Sequence, residues 1–276
     1  MSTISAADVN KLRQMTGAGM MDCKKALTET NGDMDAAVDF LRKKGAKVSA
    51  ARADREAKEG AIIAKTSADR KLGVIIQLSC ETDFVAKNED FVKFAHSIAD
   101  LALAQKPASA DALKALDMGG LPLSERLIEQ VGKIGEKIDV VKYEMVEGTN
   151  IVAYIHAANR LGVLVVLNNE PNDVNFIAGK DAAMQVAALN PTAVDKDGVD
   201  ASVVERELEI AKEQVRAEGK PENMIEKIAQ GKLAKFYKES TLLNQEFVKD
   251  SSINVGQMLD KAEKGLTVTA FKRVSL

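Results

Sequence analysis

Two cysteines and two histidines are the side chains best able to act as nucleophiles, bases or metal ligands: Cys23, Cys80, His96 and His156. The cysteines form no Cys-x-x-Cys pair, which is the spacing that zinc and redox sites use. Neither histidine stands beside a serine, a cysteine or a carboxylate in a recognised catalytic arrangement. The sequence therefore predicts no metal site and favours a protein that is not an enzyme. A thiol or hydrolytic enzyme stays open as an alternative, because a helix start can lower the pKa of Cys23.

Phosphate binding is the second kind of chemistry to test. No GxxxxGK[ST] string occurs, so the backbone amides that cradle phosphates in a P-loop are not provided. The stretch Gly17–Asp22 begins like GxGxxG, but it has aspartate at the third glycine position and follows a predicted helix instead of a strand. We interpret it as a turn between helices and expect no nucleotide cofactor.

One segment has an unusual composition for its position. Glu81-Thr82-Asp83-Phe84-Val85 lies between a predicted strand and a predicted helix, where small polar residues are usual. In one interpretation Asp83 caps the helix and Phe84 or Val85 folds back as a hydrophobic staple. In the other, an acidic and aromatic wedge is exposed for a partner. Tryptophan is absent and only three tyrosines and eight phenylalanines occur, so an exposed phenylalanine would be informative.

The elements before this segment are predicted to be three short helices within residues 1–45. Ser5 and Asp8 form a capping-box pattern at the first helix, and Asp33 is placed to cap the third. Asn31-Gly32 ends the second helix and Gly45 is expected to end the third. Three helices of this length bury a small core, which is typical of a docking module.

The elements after it contain an internal repeat. KLGVIIQL (Lys71–Leu78) and RLGVLVVL (Arg160–Leu167) are similar strings at an offset of 89 positions. Each ends a predicted strand hairpin that is followed by a helix. Further on, Val204, Leu208, Ala211 and Val215 form a coiled-coil seam, and Gly219-Lys220-Pro221 turns the chain into a second helix. The expected class is α+β, with two related subdomains, antiparallel sheets and a helical hairpin.

Charge and hydropathy limit the partners. The net charge of −3 and the pI near 5.7 argue against direct nucleic-acid binding, for which a basic domain is usual. The longest apolar run, Leu161–Leu167, is too short for a membrane span, and the N-terminus has no secretion-signal pattern. The cytoplasm is the expected compartment. A nucleic-acid-binding module that uses the N-terminal helices remains the alternative function.

Five strings together resemble the bacterial elongation factor Ts family. They are TGAGMMDCKKALTETNGDMDAAVDFLRKKG (Thr16–Gly45), CETDFVAKNEDF (Cys80–Phe91), KIGEKI (Lys133–Ile138), RLGVLV (Arg160–Val165) and EGKPENMIEKIAQGKLAKFYKE (Glu218–Glu239). The resemblance spans essentially the whole chain. It implies a ubiquitin-associated-like three-helix domain with its linker at 1–54, a core subdomain at 55–140 and a second at 141–276. The second subdomain carries an inserted coiled-coil hairpin at 192–239.

The resemblance also implies a function. Family members are guanine nucleotide exchange factors that bind elongation factor Tu, in its GDP-bound and nucleotide-free forms, and accelerate GDP release. The expected wedge is Thr82–Val85, with Phe84 displacing the switch region that holds Mg²⁺ and Asp83 competing for charge. Leu12, Arg13, Met20 and Met21 are expected at the docking surface of the bundle, and His156 at a further contact. A homodimer through the hairpin is a further possibility.

Overall fold

The first three helices form where capping residues and apolar periodicity coincide. In the computed structural model, which describes residues 4–276, they are α1 (Ala6–Thr16), α2 (Met20–Glu29) and α3 (Met34–Ala51). Ser5 and Asp8 form the capping box of α1, and the Asp33 side chain accepts a hydrogen bond from Ala36 N at the start of α3. The helices share a buried core of Val9, Leu12, Cys23, Ala26, Leu27 and Ala37. The predicted bundle is therefore confirmed.

Three strands and four helices follow the bundle. They are β1 (Glu59–Thr66), β2 (Leu72–Cys80), α4 (Asp83–Ala86), α5 (Glu89–Gln105), α6 (Ala110–Ala115), α7 (Leu123–Ile134) and β3 (Asp139–Glu147). The strands form one sheet in the order β1-β2-β3. The hairpin of β1 and β2 confirms the prediction. Strand β3 was not predicted, because charged residues interrupt the apolar alternation on which strand recognition depends.

The remainder of the chain repeats this arrangement. It forms β4 (Asn150–His156), β5 (Leu161–Leu167), α8 (Asp173–Leu189), α9 (Ala201–Ala217), α10 (Glu222–Ser240), β6 (Glu246–Phe247), β7 (Asp250–Asn254), α11 (Val255–Ala262) and β8 (Val268–Ser275). Both β4 and β8 pair antiparallel with β5. Helix α8 packs on this sheet. The repeated strand hairpin and its following helix are confirmed.

The structured chain divides into two units that are interleaved in sequence. One contains residues up to 63, residues 76–144 and Leu276, and the other contains residues 64–75 and 145–275. In the second unit, Arg70 O accepts a hydrogen bond from Ile151 N at 2.7 Å, and Lys71 O accepts one from Gly148 N at 3.0 Å. This grouping differs from the contiguous domains 1–54, 55–140 and 141–276.

Gly45 does not end α3, contrary to the prediction. The helix continues for six residues to Ala51, and Gly45 is buried where α3 passes α7. A Cβ atom added to Gly132 on α7 would lie 2.8 Å from Gly45 Cα, closer than real Cβ contacts. The two glycines therefore allow the helix backbones to approach.

The helical hairpin forms its own seam. Ala211 and Val215 of α9 are buried with Ile225, Ala229 and Leu233 of α10. Ion pairs also join the arms, with Lys212 Nζ 3.0 Å from Glu226 Oε2 and Lys232 Nζ 2.7 Å from Glu218 Oε1. The apolar residues of the hairpin are thus covered largely by the hairpin itself.

We expect the rest of the fold to survive removal of this hairpin. Thr192 N donates to Ser240 O at 2.8 Å, so a short Gly/Ser linker can replace residues 202–239 without separating the flanking chain. Thermal unfolding should remain one cooperative transition, with the midpoint within about 4 °C of wild type, a shift that corresponds to about 1–2 kcal/mol. Loss of that transition in circular dichroism would show that the hairpin belongs to the core.

Candidate functional site

The segment after β2 carries an exposed aromatic side chain. Residues Asp83–Ala86 form the short helix α4, so the segment is a helical turn and not the irregular loop expected. Phe84 lies on it with 83% of its surface exposed, whereas phenylalanine is usually buried. Asp83 is not the cap, because the Thr82 side chain accepts a hydrogen bond from Val85 N at 3.4 Å. The staple interpretation is therefore wrong for Phe84.

Helix α5 anchors the C-terminal end of α4, the exposed turn. The Asn88 side chain caps α5 by accepting hydrogen bonds from Asp90 N at 2.9 Å and Phe91 N at 3.2 Å. Phe91 is almost fully buried. Phe91 therefore secures α5 in the core, whereas Phe84, seven positions earlier, faces solvent.

Glu81 and Glu136 fix the residues that directly precede α4. The Glu136 carboxylate accepts hydrogen bonds from Glu81 N and Thr82 N, each at 3.0 Å, and from the Thr82 hydroxyl at 2.6 Å. In return, the Glu81 carboxylate accepts from Lys137 N at 2.7 Å and from the Arg52 guanidinium at 2.7 Å. We call this arrangement the glutamate clasp, defined by Glu81, Thr82, Glu136, Lys137 and Arg52.

An acidic side chain stands beside the exposed phenylalanine. Asp83 is half-exposed and forms an ion pair of 2.6 Å with Lys87. The hydrogen bond from Lys87 lowers the pKa of Asp83, although desolvation opposes this effect. Asp83 is therefore ionised throughout the neutral range, and it directly precedes Phe84 in the chain.

A groove joins this turn to the N-terminal bundle. Its volume is about 340 Å³, and its walls include Arg13 and Gly17–Gly19 from the bundle, Phe84 and Val85 from the turn, and Lys133 from α7. Residues predicted from two separate parts of the sequence are thus brought to one concave surface. Arg13 and Lys133 give that surface a basic component.

The four bundle residues predicted to bind a partner differ in exposure. Met20 and Met21 begin α2 and are 56% and 76% exposed, and Arg13 is exposed on α1. Leu12 is completely buried. It offers no surface to a partner and instead packs α1 against the other helices of the bundle, so its expected place at the contact is corrected.

His156 lies in the other unit, where it ends β4. Its ring is exposed and its Nδ1 atom lies 2.9 Å from the Tyr154 hydroxyl. The next three residues, Ala157 to Asn159, all have positive φ angles of 51°, 51° and 69°, a conformation that alanine rarely adopts. His156 thus stands at a strained turn, and its role as a contact stays a prediction.

Reactive thiols are not part of this arrangement. Cys23 and Cys80 are both buried. Burial raises the pKa of Cys23, and burial together with the nearby Glu136 charge raises the pKa of Cys80 to about 12. Both side chains are therefore protonated and inert at neutral pH. Among residues 4–276 no cluster of histidine, cysteine and acidic side chains has the arrangement of a metal site.

Sequence reasoning missed Glu136 and Arg52 as members of the site. They lie far along the chain from Thr82, and no local pattern connects them. The string KIGEKI, which contains Glu136, was the available signal, although it indicated only a family resemblance.

Among residues 4–276, no helix combines the length and apolar character needed to cross a membrane.

Comparisons with known proteins agree on one family. A family model described as elongation factor TS matches residues 81–276. The chain is 56% identical over 277 residues to elongation factor Ts of Cytophaga hutchinsonii, with 100% of both chains covered. It is 56% identical to that of Amoebophilus asiaticus, covering 98% of each, and 50% identical to that of Flavobacterium psychrophilum, covering 100% of each.

Proposed function

This chain belongs to the elongation factor Ts family, the nucleotide exchange factors of elongation factor Tu, and we propose that it releases GDP by inserting Thr82–Val85 into its partner. The inserted Phe84 ring displaces the switch region that holds Mg²⁺ beside the nucleotide. The exposure of Phe84 carries this proposal, because an aromatic ring left in water gains most when a partner buries it.

Exchange requires a difference in affinity and no catalytic base. A factor accelerates GDP release only if it binds the nucleotide-free partner more tightly than the GDP-bound form. A ring that displaces the switch region holding Mg²⁺ supplies such a difference, because the metal and the ring then favour different conformations of the partner. The buried, protonated thiols of Cys23 and Cys80 are compatible with this mode of action.

We further propose that the bundle contributes the docking surface. Arg13, Met20 and Met21 are exposed near the groove that contains Phe84. Flexible methionines form adaptable apolar contacts, and arginine is enriched at interfaces. Docking by the bundle holds the partner while Phe84 enters it.

His156 is proposed as an additional contact with the partner. The cytoplasm, where translation takes place, is proposed as the compartment.

Release of labelled GDP from elongation factor Tu tests the proposal directly. In stopped-flow fluorescence, this chain should accelerate release in proportion to its concentration until the complex saturates. Bovine serum albumin at the same concentration is the control. An unchanged release rate at saturating concentration would rule the function out.

The nucleic-acid alternative gains little support from the bundle. Two of the four basic side chains on α3 have acidic partners, since Lys44 pairs with Asp22 and Arg42 Nε lies 3.4 Å from Glu129 Oε1. Such pairs reduce the positive charge available to phosphates. We therefore propose no direct nucleic-acid contact.

The homodimer through the hairpin stays a prediction. Ile210 and Met224 are exposed apolar residues on that hairpin.

Asp83→Asn should slow GDP release by about two- to threefold, because an exposed charge contributes modestly to a contact. The effect should shrink between 50 and 500 mM KCl, since salt screens exposed charges. Release rates at both salt concentrations check this. Lys93→Gln, which removes an exposed charge from α5, is a control. A loss that is independent of salt would show that Asp83 acts by shape or hydrogen bonding.

A further inference from the structure

Helix α4 cannot hold Phe84 in place by itself. It contains four residues and none of them is buried. Helices of one turn are unstable in isolation, because few hydrogen bonds offset the loss of backbone freedom. Contacts from outside α4 must therefore maintain the turn.

Glu136 supplies contacts at the start of the turn. Its Oε2 atom accepts the backbone N–H groups of Glu81 and Thr82, and its Oε1 atom accepts the Thr82 hydroxyl proton. Because that proton is directed to Glu136, a lone pair of the Thr82 oxygen is free to accept the Val85 N–H. One carboxylate thus fixes both the backbone before α4 and the rotamer of its capping residue.

Glu81 ties the same turn to α3. Its carboxylate is only 14% exposed and lies 2.7 Å from Arg52 Nη1 and 3.4 Å from Arg55 Nη1. Although desolvation opposes ionisation, the Lys137 N–H and the Arg52 side chain lower the pKa of Glu81. The Glu81 carboxylate is therefore ionised at neutral pH, and the hydrogen bonds that it accepts are of the stronger, charge-assisted kind.

We propose that Glu136 is a positioning residue for exchange, which acts through the glutamate clasp to hold α4 in the conformation that presents Phe84 before the partner binds. This inference rests on the proposed function of Phe84. A side chain that is already oriented loses less conformational freedom on binding. If only a fraction of molecules held α4 correctly, the apparent affinity would fall by that fraction.

The placement of the Glu136 hydrogen bonds distinguishes a positioning role for Glu136 from general support of the fold. The hydrogen bonds of Glu136 end on residues 81 and 82, immediately before the turn. The adjoining helix α5 has its own anchors in the Asn88 cap and the buried Phe91. Loss of the Glu136 carboxylate should therefore free α4 while α5 keeps its place.

The test is a double-mutant cycle that measures GDP release from elongation factor Tu. Glu136→Ala should slow release about tenfold, as expected if the competent conformation becomes a tenth of the population. Glu136→Gln should restore release to within about twofold, because its carboxamide oxygen can accept the same backbone N–H groups. In a Phe84→Ala background, Glu136→Ala should change release less than about twofold. Glu125→Ala, which removes an exposed glutamate from α7, is the matched control.

Amide hydrogen exchange gives a readout without the partner. In Glu136→Ala the amides of Glu81 and Thr82 should exchange at least about tenfold faster, whereas the Phe91 amide should keep its wild-type rate. If Glu136→Ala does not fold, Glu136→Ser, whose polar side chain is too short to accept the same N–H groups, is measured in its place.

Two results would overturn the inference. One is a wild-type release rate per folded molecule in Glu136→Ala or, where that variant does not fold, in Glu136→Ser. The other is an equal loss of release with and without Phe84, which would show that the residue acts elsewhere. The single variant Phe84→Ala tests the proposed function by itself. If Phe84→Ala keeps full activity, the wedge fails, whereas a loss in Phe84→Ala with none in the clasp variant rejects only the positioning role.

Discussion

Phe84→Ala is expected to slow GDP release from elongation factor Tu by about 100-fold, in the range that truncation of a central interface residue produces. The free energy of unfolding should stay within about 0.5 kcal/mol of wild type. Both expectations follow from the 83% exposure of the side chain, since truncation in the free protein removes little buried surface. Stopped-flow release and urea unfolding measure the two quantities.

Phe91→Ala provides the contrast for this prediction. Phe91 lies seven positions further on but is buried, with 2% of its surface exposed. Its truncation should reduce the free energy of unfolding by about 3 to 5 kcal/mol. If Phe84→Ala instead loses stability and keeps the wild-type release rate per folded molecule, Phe84 belongs to the core and the wedge mechanism must be abandoned.

Replacing both Met20 and Met21 with alanine is expected to weaken the affinity for nucleotide-free elongation factor Tu by about tenfold or more. The two side chains are largely exposed at the start of α2. Their removal should take apolar area from the docking surface without disturbing the bundle core. Titration calorimetry with the nucleotide-free partner gives the affinity, and the concentration dependence of GDP release should shift to match.

Met224→Ala is the control, because Met224 is a similarly exposed methionine on the hairpin. Its affinity should equal that of wild type. Equal losses in the bundle and hairpin variants would contradict docking by the bundle. Deleting the bundle is a less precise test, since Gly45 packs against Gly132 and deletion would expose that face of α7.

Local signals made much of the fold predictable. The Ser5–Asp8 box and the Asp33 cap are patterns within four residues, and both form as predicted. The repeated string at Lys71–Leu78 and Arg160–Leu167 lies on strands in both copies. The coiled-coil seam of the hairpin was also readable, because its two arms adjoin in sequence. In each case the partners are close along the chain.

Features that depend on distant contacts could not be predicted. Gly45 has the sequence signature of a helix end, but close packing on Gly132 keeps it within α3. Asp83 resembles a cap, yet Thr82 takes that place while its hydroxyl proton bonds to Glu136. Leu12 was assigned to the docking surface on the family resemblance, but it is completely buried in the core of the bundle. These outcomes required knowledge of the neighbours in space.

The interleaving of the two units affects how the protein is made. Residues 64–75 leave the ribosome before residues 145–275 of the same unit have been synthesised. Arg70 O can therefore accept its hydrogen bond from Ile151 N only after Ile151 has been added to the chain. That partner follows about 80 residues later, or ~4–16 s at typical translation rates of ~5–20 residues per second. During this interval the apolar segment Leu72–Ile75 has no contacts with residues 145–275 of its unit. The bundle has its whole core within the first 51 residues and can fold at once, so chaperones should engage the emerging strands and not the helices.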